Sequence, residues 1–195
     1  RVYRNACDGQ GQSGARQNSA CVAAAGRDNG QSVPSRPYRT TEGSRVLGVT
    51  FAGRAAVITG ASSGIGRALA KALAAEGCRV GLVARRKEAL DEAAAEVRAA
   101  GGTAAVAAAD VGDAEQTREA LAGLAGAIGP ADLLVANAGV GVPTTLGPEN
   151  LAAVTDTFRV NVMGVIHAID AALPAMLERG SGHIAAVSSL AAYKG

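Results

Sequence analysis

The chain has 195 residues, 48% hydrophobic, 18% charged and 3% aromatic, with a formal net charge of +2. That length gives room for one domain with a real core. Three cysteines with no close pair argue against a disulfide framework, and two histidines without ligand spacing argue against zinc. The basic balance is local. Residues 1–52 carry seven Lys/Arg against three Asp/Glu, and residues 53–195 carry twelve against fourteen. The N-terminal arginines are scattered rather than clustered, which speaks against a nucleic-acid partner. Residues 1–45 hold no Leu, Ile, Met or Phe, too little apolar surface to offset the entropy of ordering. They show no apolar run of a secretory signal, and Asp8, Asp28 and Glu42 argue against a transit peptide. No Met precedes Met163. Residues 1–50 are therefore expected to be a disordered or spurious leader, no apolar run is read as long enough to span a membrane, and the protein is expected to be cytoplasmic.

From residue 53 onward, strand-like and helix-like segments alternate. Strands are predicted at 55–59, 79–84, 103–108, 132–136 and 183–188, and helices at about 64–76, 87–100, 114–128 and 150–179. Gly77, Gly101-Gly102, Gly129-Pro130 and Gly180 fall where helices should stop. Asp113 can cap the third helix, and Pro174 should kink or interrupt the last. Cys78, at a helix-to-strand junction, reads as a small core residue. Strands alternating with helices predict an α/β fold, a doubly wound parallel sheet covered on both faces.

The first junction carries the chemistry. Thr59-Gly60-Ala61-Ser62-Ser63-Gly64-Ile65-Gly66 joins the apolar strand Ala55–Ile58 to a helix. Glycines at such a junction let the backbone approach a pyrophosphate, and the helix N-terminus offers unpaired N–H groups. The spacing is neither that of ordinary Rossmann dehydrogenases nor that of a P-loop.

With this turn and four further motifs in order, the chain resembles the short-chain dehydrogenase/reductase superfamily over residues 53–195. The resemblance implies a Rossmann-like sheet in the order 3-2-1-4-5, continued in the family by further strands. It implies that Thr59 to Gly66 wrap the adenosine ribose and pyrophosphate, and that Asp110-Val111 contact the adenine. Ala136-Asn137-Ala138-Gly139 is similar to the family's Asn-Asn-Ala-Gly, with Ala136 a departure. There Asn137, Ala138 and Gly139 would steady the central strand and leave space beside the cofactor. Asn161 matches an Asn that disturbs a helix and holds a water of the proton relay. Gly182 to Ser189 resembles the fifth strand, with Ser189 in the catalytic position and Ser188 as runner-up.

Leu82-Val83-Ala84-Arg85-Arg86 closes the second strand. An NAD site usually carries an acid there for the ribose hydroxyls, and that acid would repel a 2′-phosphate. Ala84 stands in its place, followed by two guanidinium groups suited to phosphate, so Arg85 and Arg86 favour NADP(H) over NAD(H).

The resemblance implies hydride transfer between the nicotinamide and a small-molecule carbonyl or secondary alcohol, by a homo-oligomeric parent enzyme. In the family a Tyr-x-x-x-Lys pair handles the proton about 13 residues beyond the serine, and Ser189 is followed by only six residues. Tyr193 and Lys194 are adjacent and cannot converge on one hydroxyl. The chain is thus expected to be an inactive, C-terminally truncated Rossmann domain covering 53–195. A noncatalytic NADP-binding or interaction module on the same fold is the alternative. A nucleotide-sugar epimerase relative is disfavoured by the glycine spacing.

Overall fold

The computed structural model describes residues 50–141 and 150–189. The expected leader, apart from Thr50, and Tyr193 and Lys194 lie outside the described residues. Five strands form one parallel sheet in the order β3-β2-β1-β4-β5. They are β1 (Ala55–Thr59), β2 (Arg79–Ala84), β3 (Thr103–Ala108), β4 (Leu133–Ala136) and β5 (His183–Ala186). The helices are α1 (Gly64–Ala75), α2 (Lys87–Ala99), α3 (Ala114–Ile128), α4 (Leu151–Phe158) and α5 (Gly164–Glu178).

Side chains alternate across β1 as the period of a strand requires. Ala56 and Ile58 join Leu82, Leu90 and Val97 in the core under α1 and α2. Ala55 and Val57 join Val83, Leu124, Ile128, Leu134 and Ala168 in the core under α3 and α5. β1 is buried along its whole length, which explains its unbroken apolar run. Cys78 is a buried, free thiol among these core residues. Asp113 does cap α3: its Oδ1 accepts from the N–H groups of Glu115 at 2.9 Å and Gln116 at 3.0 Å.

Three expectations are corrected. The first concerns the strand at 183–188, which ends at Ala186 and is exposed at every position. Among the described residues it pairs with β4.

The second concerns Pro174, where α5 continues unbroken to Glu178. Pro174 and Asp170, whose carbonyl loses its donor, both lie on the exposed side, where water can take the lost bond. The long helix changes geometry earlier, in a π-helical turn at Arg159–Met163.

The third concerns membrane length. The continuous stretch Leu151–Glu178, with mean hydropathy 1.6, is long and apolar enough to cross a bilayer. Length and composition decide that alone. In the fold, Gly164, Ala168, Ala172 and Met176 give the stretch a buried stripe, as a helix lying on a sheet has.

Candidate functional site

β1 and β4 are neighbours whose following segments leave the sheet in different directions. Such a switch point opens a crevice beyond the carboxyl ends of the strands. Here it is a cleft of ≈ 410 Å³. Its floor is the turn after β1, with Gly60, Ser62, Ser63 and Ile65 in the lining. One wall is Ala84, Arg85 and Arg86 after β2, and Ala109, Asp110 and Val111 after β3. The other is Asn137, Ala138, Gly139 and Val140 after β4, backed by Val160.

The turn is held by the neighbouring strand end. Thr59 is 2% exposed, and its Oγ1 accepts from the N–H groups of Asn137 and Ala138, each at 3.0 Å. Asn137 Nδ2 donates to the carbonyl of Thr59 at 3.1 Å and reaches that of Gly60 at 3.5 Å. Thr59 and Asn137 therefore hold each other across the seam, Thr59 outside the cleft lining and Asn137 within it. Two glycines answer to the same packing. A Cβ on Gly60 would lie 2.7 Å from Ala138 Cα, and one on Gly66 would lie 2.5 Å from the Gly60 carbonyl oxygen. Gly64 is different: nothing lies within 4 Å of a Cβ there, but its φ of +55° is one L side chains rarely adopt.

α1 begins at Gly64 with its N-terminus uncapped, since Ser63 makes no side-chain hydrogen bond to it. The first N–H groups of a helix have no intrahelical acceptor and carry partial positive charge. An uncapped helix start beside a cleft, with Arg85 and Arg86 across from it, is the donor set a dinucleotide phosphate needs. Arg86 Nη2 reaches Ser62 Oγ at 3.4 Å.

A charged chain, not foreseen from sequence, runs from Asp110 in the cleft lining to Arg159 and Asp156 outside it. Arg159 Nη1 donates to Asp110 Oδ2 at 2.9 Å, while its Nε and Nη2 donate to Asp156 Oδ1 at 3.0 and 2.7 Å. Asp110 Oδ1 accepts from the Gly112 N–H at 2.9 Å. Burial pushes the Asp110 carboxyl up, but the Gly112 N–H, then Arg159 and lastly Arg85 outweigh it and hold it below the usual carboxylate range. His167 on α5 adds a contact from Nδ1 to the Val111 carbonyl at 2.9 Å. The available signal was an Arg two positions before the helical Asn161, but its target 49 residues away is tertiary information.

Asn161 lies in the π-helical turn, and both its amide atoms are engaged by Val140. Oδ1 accepts from the Val140 N–H at 2.8 Å and Nδ2 donates to its carbonyl at 2.9 Å. It thus clamps the segment after Gly139 without lining the cleft. Ser188 and Ser189 follow β5, both exposed, and neither lines the cleft. The structure thus gathers the turn, Arg85, Arg86, Asp110, Val111 and Asn137–Gly139 into one site, with Asn161 behind it and Ser189 apart.

Known proteins are similar in sequence and fold. A glycine betaine reductase, ATRR, of Emericella nidulans is 38% identical over 158 residues, covering 81% of this chain and 12% of that protein. A ketoacyl reductase, HetN, of Nostoc sp. is 36% identical, covering 75% of this chain and 51% of that protein. Among solved structures, a 3-ketoacyl-ACP reductase from Sinorhizobium meliloti 1021 is 41% identical with a TM-score of 0.66, covering 69% of this chain and 53% of that one. A short-chain type dehydrogenase/reductase from Mycobacterium marinum is 34% identical with a TM-score of 0.70, covering 74% and 60%. This chain spans no more than 60% of any of these four proteins. The short chain dehydrogenase family model matches residues 54–195, and by that match, the sheet order and the glycine turn the chain belongs to the short-chain dehydrogenase/reductase superfamily.

Proposed function

We propose that this protein is an NADP(H)-dependent oxidoreductase that moves a hydride between the nicotinamide and a small-molecule carbonyl or secondary alcohol. The observation that carries the cofactor choice is the end of β2. Ala84 occupies the acid's place, and the exposed Arg85 and Arg86 follow in the cleft lining. A guanidinium fork pairs with a phosphate through two parallel bonds and stays charged at every relevant pH. The α1 N-terminus and the turn from Gly60 to Gly66 would hold the pyrophosphate, with Thr59 supporting the turn. Asp110 and Val111 would border the adenine, and Asn137 to Gly139 the inner ribose.

The cofactor supplies the hydride chemistry when bound. Ser189 would polarise the substrate oxygen where charge develops. Asn161, with its amide committed to Val140, can still offer a water the main-chain carbonyls that a π-helical turn loosens. The names of the ketoacyl reductases among the similar proteins support the carbonyl substrate class.

Phe158, Val162 and Ile166, 63%, 45% and 50% exposed at helical spacing, support a homo-oligomeric assembly. The buried free thiol of Cys78 fits a reducing, cytoplasmic setting without membrane insertion. No nucleic-acid partner is proposed.

Fluorescence titration of the chain with NADPH and NADH tests the reading. NADPH should bind more tightly, and Arg85→Asp should weaken it by about 1.5–3 kcal/mol while NADH suffers much less. Equal affinities, or equal losses for both nucleotides, would refute the 2′-phosphate assignment.

A further inference from the structure

We propose that Arg159 determines cofactor preference without touching the nucleotide: by holding Asp110, it keeps Arg85 free for the 2′-phosphate. The proposal rests on the reading of the cleft as an NADP(H) site.

Arg85 and Asp110 border the same cleft from the ends of adjacent strands. Among the described residues, Asp110 is the one acid in the lining of that cleft. Left alone, an acid and a guanidinium that share one cleft can pair, because opposite charges partly withdrawn from water attract. A closed pair would harm phosphate binding twice. It would occupy the guanidinium fork, and it would keep a carboxylate beside the incoming anion.

The observed bonds work against that closure. Asp110 Oδ2 is taken by Arg159 at 2.9 Å and Oδ1 by the Gly112 N–H at 2.9 Å. Arg159 is itself fixed from behind by Asp156 through two bonds, at 3.0 and 2.7 Å. Gly112 makes room for this: a Cβ there would lie 2.0 Å from Arg159 Nη1 and 2.7 Å from Cζ. The guanidinium therefore lies directly over the Gly112 backbone. A cation on the helix side neutralises the acid, and the cation on the strand side remains available.

The test is a set of dissociation constants for NADPH and NADH, measured by fluorescence on the full chain. Arg159→Met should weaken NADPH about 10-fold and change NADH less than about 3-fold. Arg159→Lys, which keeps the charge, should retain most of the NADPH affinity. In an Asp110→Asn background the Arg159→Met change should cost NADPH no more than about 2-fold further, since a neutral amide does not capture Arg85. Gly112→Ala displaces the guanidinium sterically and should give the same selective loss as Arg159→Met. It carries the test if the methionine variant loses its far-UV circular dichroism.

Equal losses for both nucleotides in Arg159→Met, or a full further loss in the Asp110→Asn background, would reduce Arg159 to a structural residue and overturn the proposal. The wild-type arm separates the two readings. A chain that does not prefer NADPH brings down both. A chain that prefers NADPH through Arg85 yet keeps that preference in Arg159→Met brings down this inference alone.

Discussion

The interior of the sheet and its β5 rim treat apolar surface in opposite ways. β1 is buried throughout, β2 is buried at its four central positions, and α1 and α2 seal one face with Ala70, Leu73, Leu90 and Val97. On the other side α4 buries nothing and β5 is exposed along its length. Of the nine large hydrophobics that stay exposed among the described residues, all but Ile65 lie between Leu151 and Val187, at 40% to 69% exposure. Among the described residues, the strands and helices before β4 thus cover their apolar surface, while the segment from Leu151 to Val187 leaves much of its own open.

The largest expected effect tests that division directly. Leu82 is 0% exposed in the middle of β2, and Ile184 is 40% exposed on β5. Leu82→Ala should cost about 2–5 kcal/mol, because a cavity is left where neighbours cannot collapse fully. Ile184→Ala should cost about 1 kcal/mol or less, since much of its side chain already meets water. Urea unfolding followed by circular dichroism measures both. Similar losses would mean that β5 belongs to the cooperative core, and the contrast between interior and rim would fail.

Sequence reading reached the interior more fully than the rim, for a physical reason. Five strands and their order follow from short apolar runs, glycine stops and the family's motifs, all carried by neighbours in sequence. The role of Gly60 and Gly66 does not follow that way. Both lie against Asn137 or Ala138, more than 70 residues on, so packing within the protein itself requires glycine there. Arg159 is the same kind of omission, because a π-helical turn and a glycine at 112 place it over Asp110. Pro174 shows the converse. A local rule predicted a kink or an interruption; the helix is not interrupted, and its exposed face lets water take the lost bond.

A second prediction sharpens the comparison at the seam between β1 and β4. Thr59→Val keeps the shape of a buried side chain but removes the acceptor of two backbone N–H groups. Leaving buried donors unsatisfied costs about 1–3 kcal/mol. Thr59→Ser, which restores the oxygen, should recover most of it. The readout is again the urea midpoint, together with NADPH affinity, because the turn is positioned through the same bonds. A valine variant as stable as wild type would show that water replaces the hydroxyl, and that the seam is wetter than its burial implies.

The smallest expected effect is a pH dependence at the joint between interior and rim. Asp110 follows β3, Arg159 belongs to the helix that runs toward the rim, and their 2.9 Å pair ties the two. Desolvation alone would raise the Asp110 carboxyl, yet the Gly112 N–H, Arg159 and Arg85 together depress it. A group whose folded pKa is depressed gives up its proton more readily in the folded chain than in the unfolded one. Its contribution is therefore complete above the unfolded value of about 3.9 and disappears as pH falls through the lower folded value. The stability gap between wild type and Asp110→Asn should be constant from about pH 7 to pH 5 and close below about pH 4. It should be smaller than the loss in Thr59→Val, since Asn can still accept from Gly112. Urea midpoints of both proteins across that range measure it. A gap that closes already above about pH 5 would place the titrating carboxyl on the raised side of its ordinary value, with burial outweighing Arg159, and the tie between interior and rim would then not be an ion pair.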